Sequence, residues 1–479
     1  MSTDRWQSPL GSRYASAAMQ QLWGEAHRIG RWRRVWLALA ESERELGLDI
    51  PDAALESMRE HLDDADLASA AAFEKRFRHD VMAHVHAFGE QAPAARPYLH
   101  LGATSAFVTD NADVLVMRDA LALILGHLVE VVAKLRGFAV AHAALPCLAY
   151  THFQPAQLTT VGKRATLWIQ DFALDIEAVL HRLETLRLRG CKGTTGTQAS
   201  FLELFAGDHT KVRELERRIA SKLGTEAVFP VTGQTYPRKA DAQVLDVLSG
   251  VAQSAAKFAN DMRLLQHEGE LLEPFESEQI GSSAMAYKRN PMRAERINAL
   301  ARHVISLQAN GAHTAAAQWL ERTLDDSANR RLTLPEAFLA VDAILLLVAN
   351  IAGGLEVRDA AIARHVNEQM PFMATERWLM LGVQAGGDRQ ALHEVVRQHS
   401  LAVHEAVAAG APNDLMERLT ADAAFAGIDR AALAAQLDPT RYTGRSREQV
   451  GEFLSEFLDP LVIRATPMAS PTGPSELRV

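Results

Sequence analysis

What most restricts the fold of this chain is a set of long segments, almost free of glycine and proline, in which apolar residues recur every three or four positions. From Lys163 to Arg189 neither breaker occurs, and Ala165, Trp168, Ile169, Phe172, Ile176, Val179, Leu180 and Leu183 make one stripe. As a helix at 1.5 Å per residue, that segment reaches about 40 Å. Leu167 and Leu174 fall off the stripe, which predicts burial on more than one side. Arg238 to His267 repeats the pattern through Val244, Val247, Leu248, Val251, Ala255, Phe258, Ala259 and Met262, interrupted by Gly250 alone. A third run opens at Asn290 and Pro291, residues suited to a helix cap and a first helical position. A fourth extends from Glu336 to Ala352 and stops at Gly353.

Strand patterns are nearly absent, so the chain reads as all-α around a central long-helix bundle. Such a bundle leaves much side surface to cover, and a symmetric homo-oligomer is the expected solution. Shorter, more polar patterns flank it. They predict an N-terminal helical domain over 1–104, the bundle over 105–357 and a C-terminal helical domain over 358–479. The last part ends in a Pro- and Ser-rich tail from Ala465, expected to be disordered or laid along the surface.

Composition narrows the partners. A formal charge of −9 offers no basic excess for a nucleic-acid backbone, although local arginine clusters can still hold a compact anion. Two cysteines, Cys147 and Cys191, are too few for a disulfide framework or a four-thiolate metal site, and fit a reducing compartment. The N-terminus lacks the apolar core of a signal peptide. The most apolar run, Ala343 to Ala349, is broken by Asn350, far short of the roughly 18 residues a membrane span needs. A cytoplasmic chain with no membrane partner is therefore expected.

Between the second and third runs, Gln279 to Met292 reads Q-I-G-S-S-A-M-A-Y-K-R-N-P-M and has no period of either kind. Its small residues let the backbone approach a ligand, it feeds a helix N-terminus that favours negative charge, and Lys288 and Arg289 add two cations. On composition alone, a surface linker before a capped helix explains it equally well. Elsewhere His79, His84 and His86 invite a metal. On one helix, however, His79 and His86 would sit two turns apart, about 10.5 Å along the axis, and no H-x-x-x-H pair exists, so no metal is expected. No G-x-G-x-x-G or Walker loop suggests a nucleotide cofactor. The dense charges from Glu321 to Arg331 could be an internal salt-bridge network, and for Arg330 that reading stands level with a ligand role.

The string GSSAMAYKRNPM resembles the signature loop of the fumarase/aspartase superfamily of all-helical homotetrameric lyases. Further strings between residue 8 and about residue 390 narrow the likeness to the adenylosuccinate lyase family, particularly the branch with the animal enzymes. They are SPLGSRYAS, KRFRHDVMAHVH, HLGATSAFVTDNAD, THFQPAQLTTVGKR, RGCKGTTGTQASFLELF, TGQTYPRK, ERTLDDSANRR and QMPFMATE. One departure is Ala286, where the signature usually has proline, a change that leaves the loop less restricted.

The resemblance implies a cofactor-free carbon–nitrogen lyase of purine nucleotide synthesis. It would eliminate fumarate reversibly from adenylosuccinate, giving AMP, and from the succinyl-aminoimidazole-carboxamide ribotide of the same route. Ser282 matches the proton-abstracting base, with Ser283 as the neighbouring alternative. Lys288 and Asn290 match carboxylate contacts, His152 the general acid and Glu295 its tuning partner. Substrate binding would fall to Arg13 and Tyr14 near the phosphate, Arg78, His79 and Asp80, then Thr104 and Ser105 at the succinyl carboxylates. Gln234, Arg296, Arg322, Ser327 and Arg331 complete the set. In the family each site is assembled from three subunits, so oligomerisation would be a condition of activity. Two alternatives remain at this point: another fumarate-releasing lyase of the superfamily, such as an argininosuccinate lyase, or an inactive helical structural homologue. Ser282, Lys288, His152 and Glu295, all present, weigh against the latter.

Overall fold

The computed structural model describes residues 5–472. Long helices Ser105–Ala141, Val161–Thr185, Lys239–His267, Met292–Ala317 and Asp326–Gly353 pack side by side into one bundle. Their stripes meet as the spacing predicts: Trp168, Phe172 and Phe258 are fully enclosed, with the Trp168 and Phe258 rings edge to face at 5.3 Å. The Asp326–Gly353 helix is apolar enough, by length and composition, to cross a membrane, with a mean hydropathy of 2.0 over its best window. That window is 78% buried inside the bundle, so its apolar faces are used up by neighbouring helices. The apolar run is thus longer than Ala343 to Ala349 suggests.

Several boundaries differ from the sequence reading. The Val161 helix stops at Thr185, because Leu186 to Arg189 runs extended and Leu188 bridges Val228. The Asp326 helix begins ahead of Glu336, its first turns carrying charges that face a cavity rather than an apolar stripe. Asn290 caps nothing; its side-chain amide donates to the carbonyl of Gly281 at 2.8 Å, and the helix starts at Met292. Leu167 and Leu174 are about half exposed, at 49% and 53%, so a single chain does not bury the second side expected of that helix. The segment around His79 is not one helix: Leu67–Phe77 ends in a left-handed Arg78, and Asp80–Gln91 starts anew with His79 as its cap.

Among the described residues two small antiparallel sheets accompany the helices, too little strand to alter the expected all-α class. Strand β1 (Pro146–Thr151) pairs with β2 (Gln154–Thr160), and β3 (Leu271–Leu272) with β4 (Glu356–Val357). The main apolar core runs from Leu10 to Ala465; Val450, Leu454, Leu458, Leu461 and Ala465 return to it from the C-terminal part. A second, smaller core joins Ala374, Trp378, Leu392, Val403, Leu419 and Leu433. Of the expected tail, Ser470 is laid along the bundle, its N–H donating to the Ala122 carbonyl at 2.9 Å. Residues 473–479 lie outside the described residues.

Candidate active site

A cavity of about 940 Å³ lies where four helices begin. His79 and Asp80 open one of them, Thr104 and Ser105 another, Arg238 a third, and Asp326 and Ser327 a fourth. The dipoles at such ends all favour negative charge, so their convergence makes the cavity favourable to an anion, although the Val81 and Met82 N–H groups are taken by the Asp80 and His79 side chains. Nine of the residues singled out in the sequence line it: Arg78, His79, Asp80, Thr104, Ser105, Gln234, Arg322, Ser327 and Arg331.

Their polar contacts fix their states. His79 Nδ1 accepts from the Met82 N–H, so a neutral ring carries its proton on Nε2, which faces Ser105 Oγ at 3.3 Å. Arg331 pairs with Asp80 at 2.8 Å. Burial works against the Asp80 charge, but that pair and the Val81 N–H prevail, holding its carboxyl below the usual range. Arg78 has no ion-pair partner among the described residues, which leaves its guanidinium at the cavity edge for a ligand. Gln234 donates from its side chain to the Thr194 carbonyl, and its N–H reaches the Glu321 carbonyl at 2.9 Å. Gly196 makes that loop pair feasible: its φ is +83°, and a Cβ there would lie 1.9 Å from the Thr232 carbonyl oxygen.

The cavity floor carries a salt-bridge network of which the sequence marked only the Glu321–Arg331 part; Asp110, Asp113, Tyr236, Arg238 and Asp241 were not singled out. Arg238 binds Asp110 at 3.1 Å and Asp326 at 2.7 Å, while Arg330 binds Asp241 at 2.7 Å, Asp113 at 3.1 Å and the Tyr236 hydroxyl. For Arg330 the salt bridges are formed, and the residue also lines the cavity. Arg322 also reaches Asp326, at 3.1 Å. Burial opposes the Arg238 charge, yet Asp110 and its neighbours raise the pKa further above the ordinary arginine value. Asp113 shifts up through burial, against the pull of Arg330. Replacing Arg238 with Met is expected to cost about 3–5 kcal/mol in urea unfolding, because Asp110 and Asp326 lose their shared cation.

The remaining site residues stand outside this cavity. His152 sits at the β1–β2 turn, in left-handed backbone with Phe153 (φ 54° and 58°), and is exposed without a hydrogen-bond partner among the described residues. Ser282 and Lys288 belong to the exposed loop before Met292. There the Ser282 hydroxyl oxygen accepts the N–H of Met285 at 3.1 Å and of Ala284 at 3.4 Å. Gly281 packs directly on Lys288, since a Cβ would lie 2.1 Å from its carbonyl oxygen. Ala286 occupies the second position of the Met285–Lys288 turn, the place that proline favours. Glu295 is exposed, lining a second cavity of about 520 Å³ with Arg263, His267 and Arg289. Arg296 lies over the Tyr14 ring at 5.8 Å, and the Arg13–Tyr14 segment is tied down by Ser16, which donates twice to buried Asp342. Within a single chain, then, His152, the Ser282 loop, Glu295 and the Arg13–Tyr14 segment do not line the large cavity, and among the described residues His152 makes no hydrogen bond to Glu295.

Known proteins resolve the assignment. The profile of the family described as Lyase matches residues 16–306, and that of the adenylosuccinate lyase C-terminus matches 371–453. Adenylosuccinate lyase of Saccharomyces cerevisiae is 50% identical over 460 residues, 95% of each chain. The chain belongs to the adenylosuccinate lyase family. The relative from Schistosoma mansoni is 46% identical over 96% of each chain, and that of Pyrococcus horikoshii 30% over 92% of this chain and 96% of its own. The likeness to the branch with the animal enzymes is borne out. An argininosuccinate lyase is not favoured, because relatives over nearly the full length carry the adenylosuccinate name. Among solved structures, 3-carboxy-cis,cis-muconate lactonizing enzyme from Pseudomonas putida superposes with a TM-score of 0.78 at 24% identity, covering 95% of this chain and 98% of the other. At that identity the likeness shows the fold of this chain and nothing more.

Proposed function

We propose that this chain eliminates fumarate from adenylosuccinate, giving AMP, and from the succinyl-aminoimidazole-carboxamide ribotide, without a cofactor. The observation that carries this reading is the convergence of four helix N-termini and of Arg78, Arg322 and Arg331 on one cavity. That is the environment a nucleotide with a phosphate and two carboxylates needs. Ser282 takes the carbon-bound proton. Two backbone N–H groups point at its oxygen and favour the negative form, which supports Ser282 over Ser283. Lys288 and Asn290 hold the carboxylate that gains charge, and His152, tuned by Glu295, protonates the departing nitrogen. Arg13, Tyr14, Arg296 and Ser327 complete the nucleotide contacts, Thr104, Ser105 and Gln234 the succinyl contacts. Because one chain keeps these groups apart, the working form is a homotetramer whose sites draw on several subunits. Exposed Leu167 and Leu174 supply apolar surface for that assembly. The division at 1–104, 105–357 and 358–479 and a cytoplasmic location belong to the same reading.

The decisive assay mixes purified protein with either substrate, without added metal or nucleotide cofactor, and follows fumarate. Release from both is expected; a folded tetramer that releases none from either overturns the proposal.

A further inference from the structure

A polar cluster lies behind the hairpin that carries His152, on the side away from its exposed turn. Glu270, fully enclosed between the end of the Lys239 helix and β3, receives three elements of the fold. The Tyr150 hydroxyl of β1 donates to its Oε1 at 3.3 Å, and His365 Nδ1 of the Asp359–Gln384 helix meets the same oxygen at 2.9 Å. Arg364 can only donate, and it faces His365 Nε2 at 3.1 Å, so the His365 proton sits on Nδ1 and is directed at Glu270. Arg164 of the Val161 helix brings its guanidinium to 3.5 Å from Glu270 Oε2, lies over the Tyr150 ring at 5.9 Å, and donates to the Leu148 carbonyl. Burial and the Glu270 charge keep the Tyr150 phenol protonated well beyond its ordinary range, as a donor must be.

The link from this cluster to His152 is short. Tyr150 lies two residues before it, past an irregularity in register between Leu148 and Tyr150 of the kind that re-aims side chains. The Phe153 ring, immediately after His152, packs on the Tyr150 ring at 5.7 Å. His152 thus lies between two residues whose rings pack on each other, although among the described residues it makes no hydrogen bond itself.

We infer that Glu270, Tyr150, Arg164 and His365 form a positioning unit that aims His152, with Tyr150 as the hinge pin between buried carboxylate and exposed turn. This rests on the assignment of His152 as the general acid. A misplacement of about 1 Å in such a group costs up to a hundredfold in rate, while substrate held in the separate cavity binds as before.

The test is a double-mutant cycle in the full-length enzyme, with kcat and KM measured by fumarate release. Tyr150→Phe removes one hydroxyl and no packing, and is expected to lower kcat roughly tenfold or more with KM within about twofold. Glu270→Gln, which keeps the shape of the side chain, should reproduce the fall. On a His152→Ala background, in single turnovers with enzyme in excess, neither change should lower the rate further. Equal fractional losses in both backgrounds, or an unchanged kcat for both single variants, overturn the positioning role. Wild-type turnover by His152→Ala overturns instead the acid assignment on which it rests.

Discussion

Two inactive variants, His152→Ala and Ser282→Ala, are expected to regain activity when their subunits are mixed. Each substitution alone should lower turnover by roughly 10²–10⁴, the range in which a positioned proton donor or acceptor contributes. The chain places His152 on a hairpin turn and Ser282 on the loop before Met292, and neither lines the large cavity. If a working site takes its histidine from one subunit and its serine from another, a random hybrid contains sites built from two intact contributions. With equal mixing, about one site in four meets that condition. Denaturing and refolding the two variants together should therefore return up to about a quarter of wild-type fumarate release, while each refolded alone returns none. No recovery from hybrids verified by mass would mean that both residues serve from one subunit.

The long helices were legible because burial on one face writes a three-to-four spacing into the sequence, as at Trp168, Ile169, Phe172 and Ile176. The first turns of the Asp326 helix were not, since Asp326 is buried and Arg330 half-buried as ion pairs that leave no apolar period. Nor was the floor of the cavity: Arg238 meets Asp110 across 128 positions, and nothing local in either segment marks a partner so distant. The hairpin escaped for another reason. Its strands are short, β2 is mostly polar, and its turn uses His152 and Phe153 in left-handed backbone where Asn-Gly would be the usual signal. The residues lining the cavity were found through their likeness to a known family, because one sequence cannot say that Arg78, Thr104 and Ser327 face the same space. Geometry in turn added what the likeness did not carry, a buried cluster joined to the His152 hairpin through Tyr150 and two N–H groups on the Ser282 oxygen.

Glu43→Gln is expected to stabilise the protein strongly in weak alkali and hardly at all in acid. Glu43 is fully enclosed on the Glu25–Glu45 helix, neither carboxyl oxygen has a hydrogen-bond partner among the described residues, and burial pushes its pKa from 4.5 up to about 9. The buried Cys191 thiol is raised first by its own burial and next by Glu43. Below the unfolded value both states hold the proton, and the group costs nothing through linkage. Between 4.5 and about 9 the unfolded chain releases the proton while the folded chain keeps it, so stability falls as pH rises across this window. At about 1.4 kcal/mol per unit, the accumulated loss near pH 8 is on the order of 5 kcal/mol. Glutamine cannot ionise in either state and removes that loss. Urea unfolding of Glu43→Gln should therefore show a gain of this size near pH 8, none near pH 4, and a stability profile flatter by one proton in between. An equal gain at both ends would trace the effect to packing instead of ionisation, and no gain near pH 8 would mean that the buried carboxyl finds compensation within the fold.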